Sequence, residues 1–357
     1  MLVKISYKNT QYLSFCNTFY YFCAMKLRFV FFAVVSLLLV SCLGYRPSRY
    51  HKCEGAVWAT SYHIVYNSPK MLDDSIIAVM SRVEMSLSPF EATSLVSRIN
   101  RGESTVVDSL FRRVFTASQK VCSLSGGAFD PTVAPVVNLW GFGYKTGAGN
   151  PSREQIDSAM QGVGILKCLI SDSTIVKHPA TEFNFSAITK GYGCDLIGEM
   201  FRRNGCTDYM IEIGGEVVVS GKNPQGEKWH ILIDAPVVSD SAVVHERMAV
   251  IEVTDCGIAT SGNYRNYRSI GSGKRVGHTI SSVTGYPVES TMLSATVIAP
   301  DAMTADALAT ACMAMEPAKA LSMIGSIPHT KALIVVADST AALGWKIIIT
   351  PDFPAIN

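Results

Sequence analysis

Residues 125–143 read SGGAFDPTVAPVVNLWGFG, and this stretch separates a helical segment from the strand-rich remainder of the chain. Residues 108–124 carry apolar side chains at helical spacing behind a potential N-cap, Asp108. Gly126 and Gly127 can end that helix, because glycine adopts the left-handed backbone conformation without steric cost. Further along, helices and strands mix without the regular alternation of a doubly wound sheet. The sequence therefore predicts an α+β fold with mixed sheets and packed helices.

The same stretch has a second interpretation, as a ligand site. Glycines let a backbone approach a ligand closely, because they have no Cβ. The aromatic side chains of Phe129, Trp140 and Phe142 could stack on a flat ring. The residues alone leave the helix end followed by a packed loop and the ligand site open as alternatives.

The composition describes a folded chain without a strong charge. Of the 357 residues, 48% are hydrophobic and 17% are charged, which is enough apolar material for a buried core. The 31 basic residues nearly balance the 29 acidic ones, so the net charge is only +2. A chain with this balance lacks the basic surface that a phosphate backbone requires, so nucleic-acid binding is disfavoured.

The N-terminal region has the pattern of an export signal. Residues 29–40 read FVFFAVVSLLLV without a charge, and this run is short for a membrane span, which needs about 20 apolar residues. A basic segment precedes it, and Leu39-Val40-Ser41-Cys42 follows, which resembles a bacterial lipobox. We therefore expect a signal peptide over residues 1–41, of which 1–24 read as an over-extended start before Met25. The alternative is an uncleaved anchor helix.

This N-terminus implies a place in the cell. Cys42 would become the lipidated first residue, and residues 42–54 would form a tether. We expect an exported bacterial lipoprotein that is anchored to a membrane and faces the periplasm. The seven cysteines beyond Cys42 have neither C-x-x-C nor zinc-site spacing, so we expect small buried residues and not a disulfide framework: Cys53, Cys122, Cys168, Cys194, Cys206, Cys256 and Cys312.

Two further motifs suggest, separately, an anion site and a turn. Residues 184–192, NFSAITKGY, pass from a loop into a helix, and a helix N-terminus with Lys190 nearby suits a phosphate. The alternative is an ordinary helix start with an exposed lysine. Gly214-Gly215-Glu216 lies between two predicted strands, which by itself indicates a turn or a bulge.

A third motif has the residues of a metal site. Asp306 and Thr310 are four residues apart on a predicted helix, so both side chains lie on one face. A carboxylate and a hydroxyl are hard oxygen ligands that can hold Mg²⁺ together with phosphates and water. The alternative is that Asp306 caps the helix. His278 precedes these residues and is either a structural or a catalytic histidine.

Read in order, these segments resemble the ApbE family, the FAD:protein FMN transferases. The family pattern contains G-A-F-D-P-T-V, D-L-S-A-I-A-K-G-Y, G-G-E, A-T-S-G-D-Y-R, H-I-I-D-P-x-T-G-Y-P and A-D-A-L-A-T. This chain has the corresponding segments at residues 127–133, 184–192, 214–216, 259–265, 278–287 and 305–310. The ordered set is far more specific than any single motif. We assign residues 55–350 to one ApbE-like, FAD-binding catalytic domain.

The resemblance implies an enzyme that uses FAD and Mg²⁺. Such enzymes move FMN from FAD onto a Thr or Ser hydroxyl of a partner flavoprotein through a phosphoester bond, and AMP leaves. The implied metal ligands are the Ala187 carbonyl, Asp306 and Thr310, and His278 stands at the position of the general base. The implied contacts with FAD are Trp58, Phe90, Ala128, Phe129, Asp130, Asn184, Lys190 and Ile280.

The chain departs from the family pattern at several of these positions. Trp58 replaces Met, Phe90 replaces Tyr, and Asn184 replaces Asp. Ser281-Ser282 replaces Asp-Pro, which would slow the reaction, or shift the role to another residue, if that Asp orients His278 or approaches the metal. Two alternatives therefore stay open: an FAD pyrophosphatase that releases FMN and AMP, and a periplasmic flavin-binding lipoprotein without turnover.

Overall fold

A computed structural model of the chain describes residues 50–145, 149–236, 247–262, 267–270 and 274–357, with the backbone alone for 267–270 and 274–276. The predicted signal peptide and Cys42 lie outside these ranges. Within the described residues, no helix is long and apolar enough to cross a membrane.

Most of the strands form one large antiparallel sheet. Its strand order is β1-β2-β5-β6-β9-β12-β13-β14, and every neighbouring pair is antiparallel. Three separate hairpins pair β3 with β4, β7 with β8 and β10 with β11. In chain order the strands are β1 (Tyr50–Val57), β2 (Thr60–Asn67), β3 (Leu169–Ser171), β4 (Thr174–Val176), β5 (Tyr209–Ile213), β6 (Glu216–Ser220), β7 (Trp229–Asp234), β8 (Arg247–Val253), β9 (Cys256–Gly262), β10 (Tyr267–Ile270), β11 (Lys274–Gly277), β12 (Met292–Ala299), β13 (Lys331–Ala337) and β14 (Trp345–Ile349).

Four of the eight helices in the described ranges begin at a side-chain cap. The Asp108 carboxylate accepts a hydrogen bond from the Phe111 amide at 2.7 Å, and Ser152 forms a capping box with Gln155. Eight α-helices fall within the described residues: α1 (Asp73–Leu87), α2 (Leu95–Asn100), α3 (Ser109–Leu124), α4 (Ala134–Leu139), α5 (Arg153–Met160), α6 (Ser186–Arg203), α7 (Ala302–Met313) and α8 (Pro317–Gly325).

The large sheet buries both of its faces. Successive residues of a strand point to opposite faces, so one strand can contribute to two cores. On β9, Ala259 packs into the core formed with the helices, whereas Ile258 packs into a second core with the β7–β8 hairpin. On β12, Val297 and Ile298 divide in the same way. Helices therefore cover one face and the β7–β8 hairpin covers the other, and the predicted α+β class is confirmed.

Several local predictions need correction. Residues 57–66 read as one strand, but the chain turns there, since Trp58 and Ala59 have φ values of 50° and 61° between β1 and β2. A run of β-branched and aromatic residues hides this turn from sequence reasoning. Residues 50–54, assigned to the tether, belong to β1. The Gly, Pro and Asn residues of 130–150 predict a loop, but this segment contains the short helix α4. The sequence pattern does not predict α8, β3, β9, β10 or β11.

The cysteine prediction agrees with the structure. All seven cysteines within the described ranges are free, and Cys256 is half-buried while the other six are buried. Their thiols therefore act as small apolar side chains in the core.

Candidate active site

Three charged side chains meet where α6, α7 and β6 come together. Lys190 lies in the second turn of α6, Glu216 begins β6, and Asp306 lies in α7. Lys190 Nζ is 3.2 Å from Glu216 Oε2 and 4.0 Å from Asp306 Oδ2. The two carboxylate side chains are only 5% and 3% exposed, while that of Lys190 is 29% exposed. We call these three residues the charged cluster.

Glycines make this meeting possible. A Cβ at Gly191 would overlap the carbonyl oxygen of Ala302, so only glycine lets α6 approach α7 so closely. The amide of Gly191 then donates to Asp306 Oδ2 at 3.1 Å. Gly214 has a φ of 62°, and a Cβ there would lie 3.2 Å from Lys190 Cδ. The glycines of both motifs therefore bring backbone against the charged cluster.

Other carboxylates cap α7, which decides between the two interpretations of Asp306. Asp301 is the N-cap and accepts from the Thr304 amide at 2.8 Å. Asp195 accepts from the amides of Ala302 and Met303 at 2.9 and 2.8 Å. Burial, and the nearby charge of Asp301, raise the pKa of Asp195 to about 7. Asp306 is therefore not a capping residue, and its carboxylate is available for another role.

Burial governs the electrostatics of the charged cluster. It raises the pKa of Asp306, against the opposing effects of Lys190 and of the Gly191 amide. It also raises the pKa of Glu216 to about 8, even though Lys190 lowers it. Burial lowers the pKa of Lys190, but the two carboxylates outweigh it and the pKa is raised. Two buried carboxylates share one ammonium, so the cluster can accept further positive charge.

The three implied metal ligands lie on the two helices that carry Lys190 and Asp306. Thr310 lies one turn further along α7, and its Oγ1 is 3.3 Å from Ser261 Oγ on β9. Ala187 lies in the first turn of α6, the helix that carries Lys190. No group of three or more His, Cys, Asp or Glu side chains in the described part of the chain could hold a metal. The donor set here is a carboxylate, a hydroxyl and a carbonyl, and such oxygen ligands fit Mg²⁺.

The glycine-rich loop and the His278 loop lie against each other. Trp140 Nε1 donates to the Gly285 carbonyl at 2.9 Å, and Ser282 Oγ donates to the Gly127 carbonyl. Ile280 is 5% exposed in an apolar group with Trp140. The half-buried ring of His278 lies edge-on to Phe142, with 6.5 Å between ring centroids. The fold thus brings together the glycine-rich loop and the His278 loop, which are more than a hundred residues apart in the sequence.

Ser281 stabilises the turn that follows His278. Its Oγ accepts hydrogen bonds from the Val283 amide at 3.3 Å and from the Thr284 amide at 3.1 Å. An aspartate side chain accepts from the same amides in an Asx-turn. The serine therefore supplies the turn contacts that an aspartate at this position could make.

Phe129 and Asp130 have structural side chains. Phe129 is 3% exposed and packs in the helical core, so the expectation that its ring stacks on a ligand is wrong. The Asp130 oxygens accept from the amides of Thr132 and Ile165, both at 2.9 Å. Gly126 and Gly127, with φ of 60° and 88°, end α3, as the alternative interpretation predicts. Ala128, the residue before Phe129, is only half-buried.

Three further predicted residues lie around the charged cluster and the loops. The Trp58 ring packs against Gly193 of α6, and its buried Nε1 has no hydrogen-bond partner in the described structure. Phe90 is 70% exposed, and its ring lies 6.0 Å from that of Tyr144. Asn184 Oδ1 accepts from the Ser186 amide at 3.0 Å, in the loop just before α6. Asn184 thus makes the local turn that an aspartate would also make.

Glu216 is the residue that sequence reasoning missed. The Gly214-Gly215-Glu216 sequence predicts a turn, and a turn needs the two glycines but not the carboxylate. A cleft of about 770 Å³ elsewhere in the fold, lined in part by Asp255, Cys256, His329 and Lys331, contains none of the predicted site residues. The charged cluster, and not this cleft, is therefore the candidate site.

Comparisons with known proteins place this geometry in a family. A model described as the ApbE family matches residues 58–334. The FAD:protein FMN transferase of Haemophilus influenzae is 32% identical over 322 residues, which cover 85% of this chain and 91% of the relative. The protein of the same name from Vibrio cholerae is 33% identical, over 86% of this chain and 93% of the relative. A solved structure, flavin transferase ApbE from Vibrio cholerae, superimposes with a TM-score of 0.75 at 31% identity and covers 86% of this chain and 99% of its own. The chain belongs to the ApbE family.

Proposed function

We propose that this protein is an FAD:protein FMN transferase. The relatives that match most of its length carry that name, and the chain covers about nine tenths of the Haemophilus protein. The observation that carries the proposal is the charged cluster, in which a buried carboxylate on α7 lies beside a lysine on α6. A pyrophosphate is the part of FAD that such a cluster suits, because it combines negative charge with oxygen ligands for a cation.

We propose further that Mg²⁺ binds at Asp306, Thr310 and the Ala187 carbonyl. When bound, Mg²⁺ would neutralise charge on the pyrophosphate during the transfer. Asp306 is the one carboxylate in this set, so it contributes most of the attraction for the cation. The ammonium of Lys190 adds a second positive charge on the same side, and the Gly191 amide keeps the Asp306 side chain in place.

The acceptor group in this proposal is a Thr or Ser hydroxyl of a partner flavoprotein. Its oxygen forms a bond to the phosphorus of the FMN half, and the bond from that phosphorus to the bridging oxygen breaks. AMP leaves with the bridging oxygen. The hydroxyl proton passes to a ring nitrogen of His278, which suits neutral pH because an unperturbed histidine has a pKa near 6.5. In-line placement of the two oxygens is then the main requirement.

The contacts of Ser281 support transfer over simple flavin storage. A missing aspartate next to the base would matter if that carboxylate oriented the imidazole. Here the position stabilises a turn, and serine does so with two hydrogen bonds. The serine therefore keeps the turn that follows His278, and this supports a site that retains transfer.

We propose that the protein works as an exported lipoprotein, anchored through Cys42 and facing the periplasm. The sequence of residues 25–42 supports this, with its basic segment, apolar run and lipobox-like end. Two acyl chains on such a cysteine give stable membrane binding, whereas a single chain is marginal.

The test of the proposed activity is a nucleotide balance. The protein is incubated with FAD and Mg²⁺, with and without a flavoprotein that carries a Thr or Ser acceptor, and the nucleotides are separated by chromatography. Transfer predicts AMP release only with the acceptor and no matching amount of free FMN. Equal FMN and AMP without an acceptor would identify a pyrophosphatase, and intact FAD in both samples would identify a binding protein. An acceptor with Ala at the modified position is the control.

A further inference from the structure

Glu216 is a buried acid whose position the fold alone does not explain. Its side chain is 5% exposed, and Oε2 lies 3.2 Å from Lys190 Nζ without forming a hydrogen bond. Burying a carboxylate is costly, and an apolar residue of similar volume in such a place is often neutral or stabilising. The neighbouring strand residues Val217, Val218 and Val219 are apolar and buried, as β6 requires. An acid at the start of this strand therefore points to a role in the site.

The geometry makes Glu216 the nearer partner of Lys190. The distance from Nζ to Asp306 Oδ2 is 4.0 Å, against 3.2 Å to Glu216 Oε2. Asp306 also has a second partner, the Gly191 amide. A cation bound to Asp306 weakens the attraction between that carboxylate and the Lys190 ammonium. The attraction between Glu216 and the ammonium is unchanged. Glu216 is thus the counter-ion that stays with Lys190 in the loaded site.

The charges of the cluster add up in a way that suits a pyrophosphate. Two carboxylates and one ammonium sum to −1 when all are ionised, and a divalent cation changes the sum to +1. Without Glu216, the Lys190 ammonium would have only the more distant Asp306 carboxylate as a partner. The ammonium and the cation would then compete for that one carboxylate. The Lys190 side chain is 29% exposed, so it can reach a ligand while Glu216 stays buried.

We propose that Glu216 is a positioning residue, which holds the Lys190 ammonium on the same side as the Asp306 carboxylate so that both face the pyrophosphate of FAD. Glu216 does not touch the substrate and acts through Lys190. This inference rests on the proposed function, because it names how that site binds its substrate.

The test is a double-mutant cycle on FAD affinity, measured by flavin fluorescence in the presence of Mg²⁺ at a pH above 8, where the Glu216 carboxyl is ionised. Glu216→Gln keeps the shape and removes the charge, and we expect the dissociation constant for FAD to rise about tenfold, the value of one charge-assisted contact. Lys190→Gln weakens binding as well. Glu216→Gln in the Lys190→Gln background should have no further effect, because the residue acts through the lysine. Glu216→Asp should restore part of the affinity.

Glu212→Gln is the matched control. Glu212 belongs to the same hairpin, where it accepts from the Gly215 amide at 2.6 Å and pairs with His63, so its loss tests the hairpin without touching Lys190. The control should bind FAD as the wild type does. Equal losses from Glu216→Gln in both backgrounds, or an unchanged affinity in the single variant, would overturn the inference. A wild-type protein that binds no FAD would instead overturn the proposed function. If Glu216→Gln does not fold, Glu216→Asp decides: its shorter side chain should weaken FAD binding when Lys190 is present and not in the Lys190→Gln background, and an equal loss in both backgrounds would count against the inference.

Discussion

Asp306→Asn should abolish the response of this protein to Mg²⁺ while leaving it folded. The substitution keeps the size of the side chain and removes the one carboxylate among the proposed ligands. The Gly191 amide can still donate to the side-chain oxygen, which preserves the contact between α6 and α7. Because burial disfavours the charged form of Asp306, the metal-free variant should be at least as stable as the wild type.

The expected loss of Mg²⁺ affinity in Asp306→Asn follows from charge and distance. At the 4.0 Å that separates Asp306 Oδ2 from Lys190 Nζ, two unit charges interact by about 4 kcal/mol with an effective dielectric constant of about 20. A divalent ion in direct contact with the carboxylate has twice the charge at a shorter distance. A loss of this size lowers cation affinity by about a thousandfold or more, since each 1.4 kcal/mol corresponds to a factor of ten.

The assay is thermal unfolding with and without Mg²⁺. At a cation concentration of about 100 times the dissociation constant, binding stabilises the folded protein by about 2.7 kcal/mol. For a large domain this corresponds to a rise in Tm of roughly 5 °C or more. The wild type should show this rise and Asp306→Asn should not. Asp157→Asn, at an exposed acid on α5, is the matched control and should respond as the wild type does. An equal rise in Asp306→Asn would refute the assignment of the cation to this carboxylate.

Three further predictions concern the base, the buried acid and the lipid. His278→Ala should bind FAD normally and lose transfer by about 10²–10⁴-fold, the usual contribution of general acid–base catalysis, as single-turnover kinetics would show; near-normal transfer would remove His278 from the mechanism. The pKa of Glu216 is raised to about 8 in the folded protein, so the folded state binds this proton more tightly than the unfolded state and the stability falls as pH rises from about 5 to 8. Denaturant unfolding at both pH values should show a smaller fall in Glu216→Gln, and an identical fall would contradict this. Cys42→Ala should leave the precursor without a lipid, as fractionation and mass spectrometry of the N-terminus would reveal, whereas an unlipidated, soluble mature wild type would contradict the lipoprotein proposal.

Local patterns predict many of the helices and strands, although not α4 or α8. The Asp108 cap and the apolar spacing behind it are enough to place α3, because both act within a few residues. The turn between β1 and β2 was not predictable in this way. Trp58 and Ala59 are unusual residues for positive φ, and nothing in their neighbourhood marks a turn.

The sequence predicts those parts of the candidate site whose residues lie close together in the chain. The spacing of four residues between Asp306 and Thr310 predicts that both side chains lie on one helix face. The structure rules out the alternative in which Asp306 caps the helix. Phe129 is the opposite case. An aromatic residue beside two glycines predicts stacking on a ligand, but the structure shows that the Phe129 side chain is buried. Glu216 was missed because its meaning depends on Lys190, which is close in space and distant in sequence.

The central claim is that FMN is moved from FAD onto a protein hydroxyl. Its most direct test is peptide mass spectrometry of a flavoprotein acceptor after incubation with this protein, FAD and Mg²⁺. The account predicts one Thr or Ser peptide that carries FMN through a phosphoester, and no such peptide with Asp306→Asn. An acceptor that stays unmodified, while FAD is consumed to free FMN and AMP, would contradict it.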